Sequence, residues 1–531
     1  MTERPTSIAQ AFLNVAERRP ERPCLLFDGQ SYSYARLRDE AGRFAGSLQA
    51  WGLKPDDRVA LFLENSPTFV VAYLGIYLAG GIVVLVNTQY RQVELRHILN
   101  DAEVRLCVTD LARRAELARV IQDLPALEAV VVVSADGSSS RAEAEPLERA
   151  KPSLTEHPWD RFLVSGNRVS FQIPNGETIA LIGYTSGTTG RSKGAMLSHA
   201  NLAANAWAVT TAWHWTTDDR LLLTLPLFHA HGLGVGTHGT LWTGATADLR
   251  CRFDASEVYD TLLEGQTTMF FGVPTMYTRL LAEAEKRNRR PPPIRLYVSG
   301  SAPLSAQTFA DFANAFGQPI LERYGMTETM MNTTNPYAGE RRPGTVGMPF
   351  PGQEARIVDL QTRQPILDQQ QGEIQVRGPH VFQGYWRNAE ATAAAFDREG
   401  WFNTGDIGWQ SADGYYTIAG RARELIITGG YNVYPREVEE VLLTHPGVSE
   451  AAVLGLPDPD FGEQVVAAIV RHPGSEHSTF RPDDLVALCR DQLASYKKPR
   501  QIFFVDTLPR NALGKIQKHV LREDLEKHSP V

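Results

Sequence analysis

Cysteine is scarce and scattered. Cys24, Cys107, Cys251 and Cys489 stand far apart, so no pair has the spacing of a metal knuckle or a redox dithiol, and a disulfide scaffold is excluded. A reducing compartment, the cytoplasm, is the expectation. An excess of basic charge is also missing. Lys and Arg number 53 against 61 Asp and Glu, a formal charge of −8, so no global field favours nucleic acid or an anionic membrane. Long apolar runs are lacking, with one case to weigh. Residues 69–86 (FVVAYLGIYLAGGIVVLV) are 18 positions without a charge, the bottom of the spanning range. Gly80-Gly81 splits that run into a short buried helix and a β-branched strand, which suits an α/β core better than a membrane span. The N-terminus carries early charges and no long apolar core, so it does not read as a secretory signal. Composition excludes a disordered chain, a collagen and a coiled coil, with 43% hydrophobic and 21% charged residues.

A length of 531 residues holds roughly three or four domain-sized units. Short apolar runs such as VALFLE at 59–64, GIVVLVN at 81–87, EVRLCVT at 103–109, AVVVVSA at 129–135 and IRLYVSG at 294–300 alternate with amphipathic stretches. That alternation predicts an α/β fold, with parallel sheets covered by helices. From about Glu354 the texture changes. EARIVDL, GEIQVRG and DGYYTIAG predict a small antiparallel subdomain, with Asp413-Gly414 as a hairpin turn. Beyond Gly420, helix candidates from Arg436 to Thr444 and around 482–494 alternate with strand-like runs, predicting a compact α+β domain. The expected division is 1–419 and 420–531, with a hinge at 420–424.

The run YTSGTTGRSKG at 184–194 gathers three glycines, five serines or threonines and one lysine. Glycines let backbone N–H groups approach an anion, hydroxyls add donors and Lys193 adds a point charge, the composition of a triphosphate cradle. It is not the GxxxxGK[ST] loop, because Lys193 follows Ser192 and precedes Gly194. His229 and His231 form HxH. With no third ligand nearby, a shared strand face lining a pocket is the expectation, and a metal site is not.

The cradle and its companions resemble the adenylate-forming acyl-CoA synthetase superfamily. The companions occur in the family's order: LPLFHAHG at 225–232, SGSAPL at 299–304, ERYGMTET at 322–329, RPGTVGMPFPG at 342–352, YWRN at 385–388, WFNTGDIG at 401–408, GRARELIITGGYNVYPREVE at 420–439 and PRNALGKIQK at 509–518. The resemblance implies a large N-terminal domain of layered α/β subdomains plus the small antiparallel one, and a mobile α+β C-terminal domain. It also implies a two-step reaction. A small carboxylic acid and ATP give an acyl-adenylate and pyrophosphate, and CoA then displaces AMP to give the thioester.

The resemblance also distributes roles. Thr185, Ser186, Gly187, Thr188, Thr189, Gly190 and Lys193 hold the phosphates, with Thr185 at the α-phosphate. Glu328 helps bind Mg²⁺, a hard cation that wants an oxygen ligand beside phosphate. Ser301, Ala302 and Pro303 lie against adenine. Glu322, Tyr324, Gly325, Met326 and Thr327 complete the nucleotide wall, with Tyr324 as the stacking face. Asp406 accepts the ribose hydroxyls, as an acceptor-only carboxylate suits a diol, and Arg421 is a second ribose or phosphate contact. Lys515 is delivered to the acyl carboxylate and α-phosphate when the small domain closes. Gly429, Gly430 and Tyr431 face the CoA channel after it rotates, and Arg423 holds the hinge position. His229 shapes the acyl pocket.

The acid must be argued separately, because the superfamily handles acetate, fatty, aryl and amino acids. A dicarboxylate needs a cation for its far end, since an unpaired buried charge would cost several kcal/mol. Arg279, Ser301 and Arg323 are similar to the positions that serve this purpose in the malonyl-CoA synthetase branch. That branch commonly reads HTHG where this chain has HAHG. Ala230, near Met331, therefore opens space for a 2-substituent such as that of methylmalonate. The rivals are a monocarboxylate CoA ligase, in which Arg279 and Arg323 serve structure only, and an ADP-forming ATPase or kinase.

Overall fold

The β-branched runs form strands buried on both faces, and what covers them follows from helices that are apolar on one side or all round. The computed structural model describes residues 4–134, 147, 151–164, 174–185, 192–287, 289–366, 369–428, 431–458, 460–472, 480–511 and 514–528. The uncharged run resolves as the sequence predicts. Pro67–Leu78 is a helix buried at nearly every position, started by Ser66, whose hydroxyl accepts the Phe69 N–H, and Ile82–Leu85 is a fully buried strand. At 12 residues the helix is about 18 Å long, well short of a bilayer core. No described helix is long and apolar enough to cross a membrane.

Two large sheets form the N-terminal part. An eight-stranded sheet runs Gly384–Tyr385, Lys193–Ser198, Ile179–Thr185, Ile82–Leu85, Arg58–Phe62, Leu106–Asp110, Ala129–Val133, Thr155–Pro158. A nine-stranded sheet carries the parallel series Thr246–Leu249, Arg220–Leu223, Met269–Gly272, Leu296–Ser299 and Leu321–Met326 in adjacent positions. Ligands of such sheets bind beyond the carboxyl ends of the strands. Those ends here lead into Leu225–His231, Val273–Thr275, Gly300–Pro303 and the ERYGMTET segment.

The antiparallel subdomain is a five-stranded sheet from Glu354–Val358 to Tyr416–Arg421, with Asp413-Gly414 in the hairpin turn between the last two strands. The C-terminal sheet, also five-stranded, pairs Val448–Asp458 with Gly462–Arg471 and is flanked by helices Pro435–Leu442, Pro482–Gln492 and Lys518–His528. Its two faces bury separate clusters, one around Val438, Val465 and Leu485, the other around Leu454, Leu521 and Leu525.

One expectation is corrected. His229 and His231 do not lie on a strand. His229 sits in a turn and His231 opens a wide helical turn, His231–Thr237, of sequence HGLGVGT. The alternating glycines let this segment press on its neighbours. A Cβ on Gly236 would lie 2.7 Å from a Leu223 methyl, and one on Gly234 would lie 2.6 Å from the Met330 sulfur.

Candidate active site

The phosphate-cradle motif is a β-hairpin tip. Ile179–Thr185 and Lys193–Ser198 pair antiparallel with Thr185 opposite Lys193. The tip residues Ser186, Gly187, Thr188, Thr189 and Gly190 lie outside the described residues. Its two bases are pinned: the Tyr184 hydroxyl donates to Asp101 Oδ2 at 2.6 Å, and His97 Nε2 donates to the Ser192 carbonyl at 2.7 Å.

Beside the hairpin the structure gathers most of the residues expected to bind the nucleotide. Asp406 and Arg421 are cross-strand partners and form an ion pair, with Arg421 Nε 2.6 Å from Asp406 Oδ1. The Asp406 charge raises the Arg421 pKa. The Tyr324 hydroxyl donates to Asp406 Oδ2. A carboxylate has about four acceptor positions, so both oxygens keep capacity for a diol. Fixing the hydroxyl also fixes the Tyr324 ring.

Glu328 is buried and its pKa is raised, chiefly by desolvation. Its Oε1 accepts the Tyr385 hydroxyl at 3.0 Å, and the Tyr385 ring carries Lys193 Nζ 5.1 Å from its centre. Lys193, Tyr385, Glu328, Arg421 and Asp406 are thus one electrostatic cluster. Among the described residues no group of three acidic, His or Cys side chains could hold a metal ion. A single buried carboxylate does not make a protein cage, but it does suit Mg²⁺ held mainly by phosphates and water. Gly325 has no alternative in this segment, because a Cβ there would fall 1.9 Å from the Met330 carbonyl. Met326 ends its strand, and the Thr327 methyl packs against the backbone of Gly183.

The strand Leu296–Ser299 leads directly into Gly300 and Ser301. Ser301 adopts φ +69°, and Ala302 and Pro303 follow it. Glu322 Oε1 accepts the Leu304 N–H at 3.0 Å and holds this turn in place. Arg323 is only 3% exposed, and its Nε and Nη2 find no hydrogen-bond partner. Burial pushes its pKa down to about 9, against the raising effect of Tyr277 and Glu322. Its guanidinium lies on Gly300, where a Cβ would come within 2.5 Å of Cζ. Next along, Ser301 Oγ is 3.4 Å from His231 Nδ1, and His231 Nε2 is buried without a partner. Arg323, Ser301 and His231 are therefore contiguous through Gly300. Desolvation, and then the Arg323 charge, lowers the His229 pKa to about 4 and that of His231 further, so both imidazoles are neutral at pH 7.

Gly300→Ala should displace the guanidinium. We expect a fall in kcat/KM for a dicarboxylate, at least about tenfold on the scale of a charged hydrogen bond, with little change for a monocarboxylate. Equal losses for both acids would contradict that role for Gly300.

Arg279 is placed differently. It is exposed on helix Pro274–Arg287, whose buried residues are Tyr277 and Leu280. It stands one turn beyond Thr275 on the same face. Ala230 and Met331 are both buried, and the methionine recorded against the His231–Thr237 turn is Met330.

The C-terminal domain brings its lysine loop to this region. Gly514, at φ +75°, lies so close that a Cβ would be 3.1 Å from Thr275 Oγ1. Asn511 braces the loop, accepting the Lys515 N–H at 3.0 Å and donating its own to the Lys515 carbonyl at 2.9 Å. Tyr431 is elsewhere, exposed and stacked on Tyr496 with ring centres 4.6 Å apart. Gly429 and Gly430 lie outside the described residues, as does the Arg423 side chain.

Sequence reasoning passed over three participants. Tyr385 stood in the quoted YWRN, but nothing local marks its hydroxyl as the partner of Glu328. For His231 the HxH pattern predicts only a pocket-lining place beside His229, and nothing in it points to Ser301 as its partner. Gly300 was quoted in SGSAPL without a reason for its being glycine.

Comparison with known proteins adds the following. The profile of the family described as AMP-binding enzyme matches residues 12–386, and that of the AMP-binding enzyme C-terminal domain matches 437–515. The chain is 33% identical to the Long-chain-fatty-acid–CoA ligase of Bacillus subtilis, over 99% of this chain and 96% of that protein. It is 31% identical to a Malonate–CoA ligase of Arabidopsis thaliana, over 98% and 89%. Among solved structures, ATP-bound MatB from Rhodopseudomonas palustris is 39% identical with a TM-score of 0.87, covering 98% of this chain and 99% of that one.

Proposed function

The chain belongs to the AMP-binding enzyme family and is an AMP-forming acid–thiol ligase that uses ATP and CoA, and from that premise we propose that its acid is a short dicarboxylate, malonate or a 2-substituted malonate. Curated relatives bearing fatty-acid and malonate names align about equally well, so identity to those two does not choose between them. The observation that carries the choice is Arg323. A guanidinium buried without acceptors for Nε and Nη2 costs several kcal/mol unless something supplies the acceptors. A second carboxylate on the substrate supplies them in bidentate geometry. Ser301 and the neutral His231 stand beside it as further donors. Arg279 is exposed, one helical turn beyond Thr275, the residue that meets the lysine loop.

A carboxylate is a poor acyl donor to a thiol, and joining it to AMP provides the leaving group. In the first step the proximal carboxylate oxygen attacks the α-phosphorus and the bond to pyrophosphate breaks. Charge grows on the phosphoryl oxygens and the departing pyrophosphate. The hairpin from Thr185 to Lys193 holds the β- and γ-phosphates, and Lys515 bridges the carboxylate and the α-phosphate. Asp406 and Arg421 hold the ribose, and Tyr324 with Ser301–Pro303 encloses adenine. Glu328 would hold Mg²⁺, which would neutralise phosphate charge. His229, neutral, shapes the pocket and need not act as a base, because a carboxylate nucleophile requires none.

In the second step the thiol of CoA attacks the acyl carbon and AMP leaves. We assign residues 1–419 to the AMP-binding and acid-binding domain and 420–531 to the mobile domain. Its rotation about 420–424 brings Gly429, Gly430 and Tyr431 to the CoA channel. Three buried cysteines and one exposed, all unpaired, suit a reducing setting, and we place the enzyme in the cytoplasm.

The reading is tested by an acid panel scored for pyrophosphate, AMP and thioester: malonate should far exceed butyrate, and ADP release or butyrate preference would contradict it. Ala230→Thr, adding one methyl and one hydroxyl to a buried wall, should lower the methylmalonate-to-malonate ratio of kcat/KM by about ten- to two-hundredfold, the range for one small group in a pocket. An unchanged ratio would place Ala230 away from the 2-position.

A further inference from the structure

Arg436 opens helix Pro435–Leu442, whose Val438 and Leu442 belong to the C-terminal core. Its side chain, in a residue 8% exposed, reaches out of that domain. Nη1 donates to the Ile418 carbonyl at 2.9 Å, in the last strand of the antiparallel subdomain and on the far side of the 420–424 hinge. Nε donates to Glu440 Oε1 at 2.9 Å within the helix. The neighbouring Tyr434 packs with Ile407 and Ala419 of that same subdomain.

Behind this contact lies Glu322. Its Oε1 anchors Leu304 and so the Ser301–Pro303 turn, and its Oε2 is buried without a partner. Burial raises the Glu322 pKa to about 7. The largest influence holding it down is the Arg436 charge, with Arg323 and the Leu304 N–H also lowering it and Glu440 raising it.

We propose that Arg436 is a positioning residue of the adenylation step: it locks the C-terminal domain in the orientation that presents Lys515, through the Ile418 carbonyl, and it does so beside the carboxylate that braces the adenine wall. This rests on the reading that the domain rotates between the half-reactions. Rotation about 420–424 separates Arg436 from Ile418, so the lock acts on one half-reaction only.

The experiment measures the two half-reactions separately. In Arg436→Met, ATP–pyrophosphate exchange should fall about ten- to a hundredfold, the scale of a lost charge-assisted hydrogen bond. Thioester formation from synthetic acyl-adenylate and CoA should stay at the wild-type rate, which also reports that the variant is folded. Glu440→Gln breaks only the intrahelical pair, whose carboxylate side chain is 59% exposed, and exchange should stay within about threefold of wild type, as such pairs contribute little. Equal loss in both half-reactions, no loss of exchange in Arg436→Met, or a Glu440→Gln variant as impaired as Arg436→Met would overturn the proposal. Wild-type exchange with malonate tests the parent reading by itself. The split in Arg436→Met is read with whichever acid the wild type activates.

Discussion

Arg323→Met is expected to lose at least about thirtyfold in kcat/KM for malonate, and up to several thousandfold, the 2–5 kcal/mol typical of removing one partner from a buried charge pair. Butyrate, which has no distal charge, should change by only a few-fold. The same substitution should leave thermal stability unchanged or raise it. The reason is the sign of the burial term. In the ligand-free protein the guanidinium is desolvated, its pKa is pushed down to about 9 and two of its donors are idle. Replacing such a group by an apolar side chain of similar length relieves a cost. A structural arginine behaves oppositely, and its loss lowers stability and both activities together.

The pH dependence has a definite sign as well. A basic group whose folded pKa lies below its ordinary value binds fewer protons folded than unfolded between the two values, so its penalty on stability diminishes as pH rises through about 9.

The second large effect is expected at Lys515. Lys515→Ala should lower ATP–pyrophosphate exchange about a hundred- to a thousandfold, the range for deleting one preorganised group facing transition-state charge. It should leave thioester formation from synthetic acyl-adenylate nearly intact. Gly514 already rests against Thr275, so the lysine loop lies against the start of helix Pro274–Arg287 in this arrangement. The contrast with Arg323→Met is diagnostic: Lys515→Ala impairs exchange with every acid, whereas Arg323→Met impairs it by acid. Equal loss in both half-reactions of Lys515→Ala would remove the lysine from a step-specific role.

Motif order made the layered fold and the antiparallel subdomain legible, and it named Tyr324, Glu328, Asp406 and Arg421, which the structure brings together. What stayed hidden depended on burial. Arg279 and Arg323 read alike as arginines near chemistry, yet one ends on the open face of a helix and the other between two strands. The burial of Tyr277 and Leu280 follows from helical spacing and already turns residue 279 away from that side. No local pattern announces that the Arg323 head lies on Gly300, because that contact joins neighbouring strand ends. The HxH pair misled for a related reason. Alternation suggested a strand, but Gly232, Gly234 and Gly236 let the chain coil against Leu223 and Met330. Arg436 read as one more polar residue of a helix, since its partner Ile418 is a backbone carbonyl across the hinge.

A crystal structure with a non-hydrolysable malonyl-adenylate analogue tests the central claim most directly. The account predicts the distal carboxylate about 2.7–2.9 Å from Arg323 nitrogens, the distance of a charge-assisted pair, with Ser301 and His231 alongside. A distal carboxylate directed to solvent or to other residues, with Arg323 still unpartnered behind an apolar wall, would contradict it.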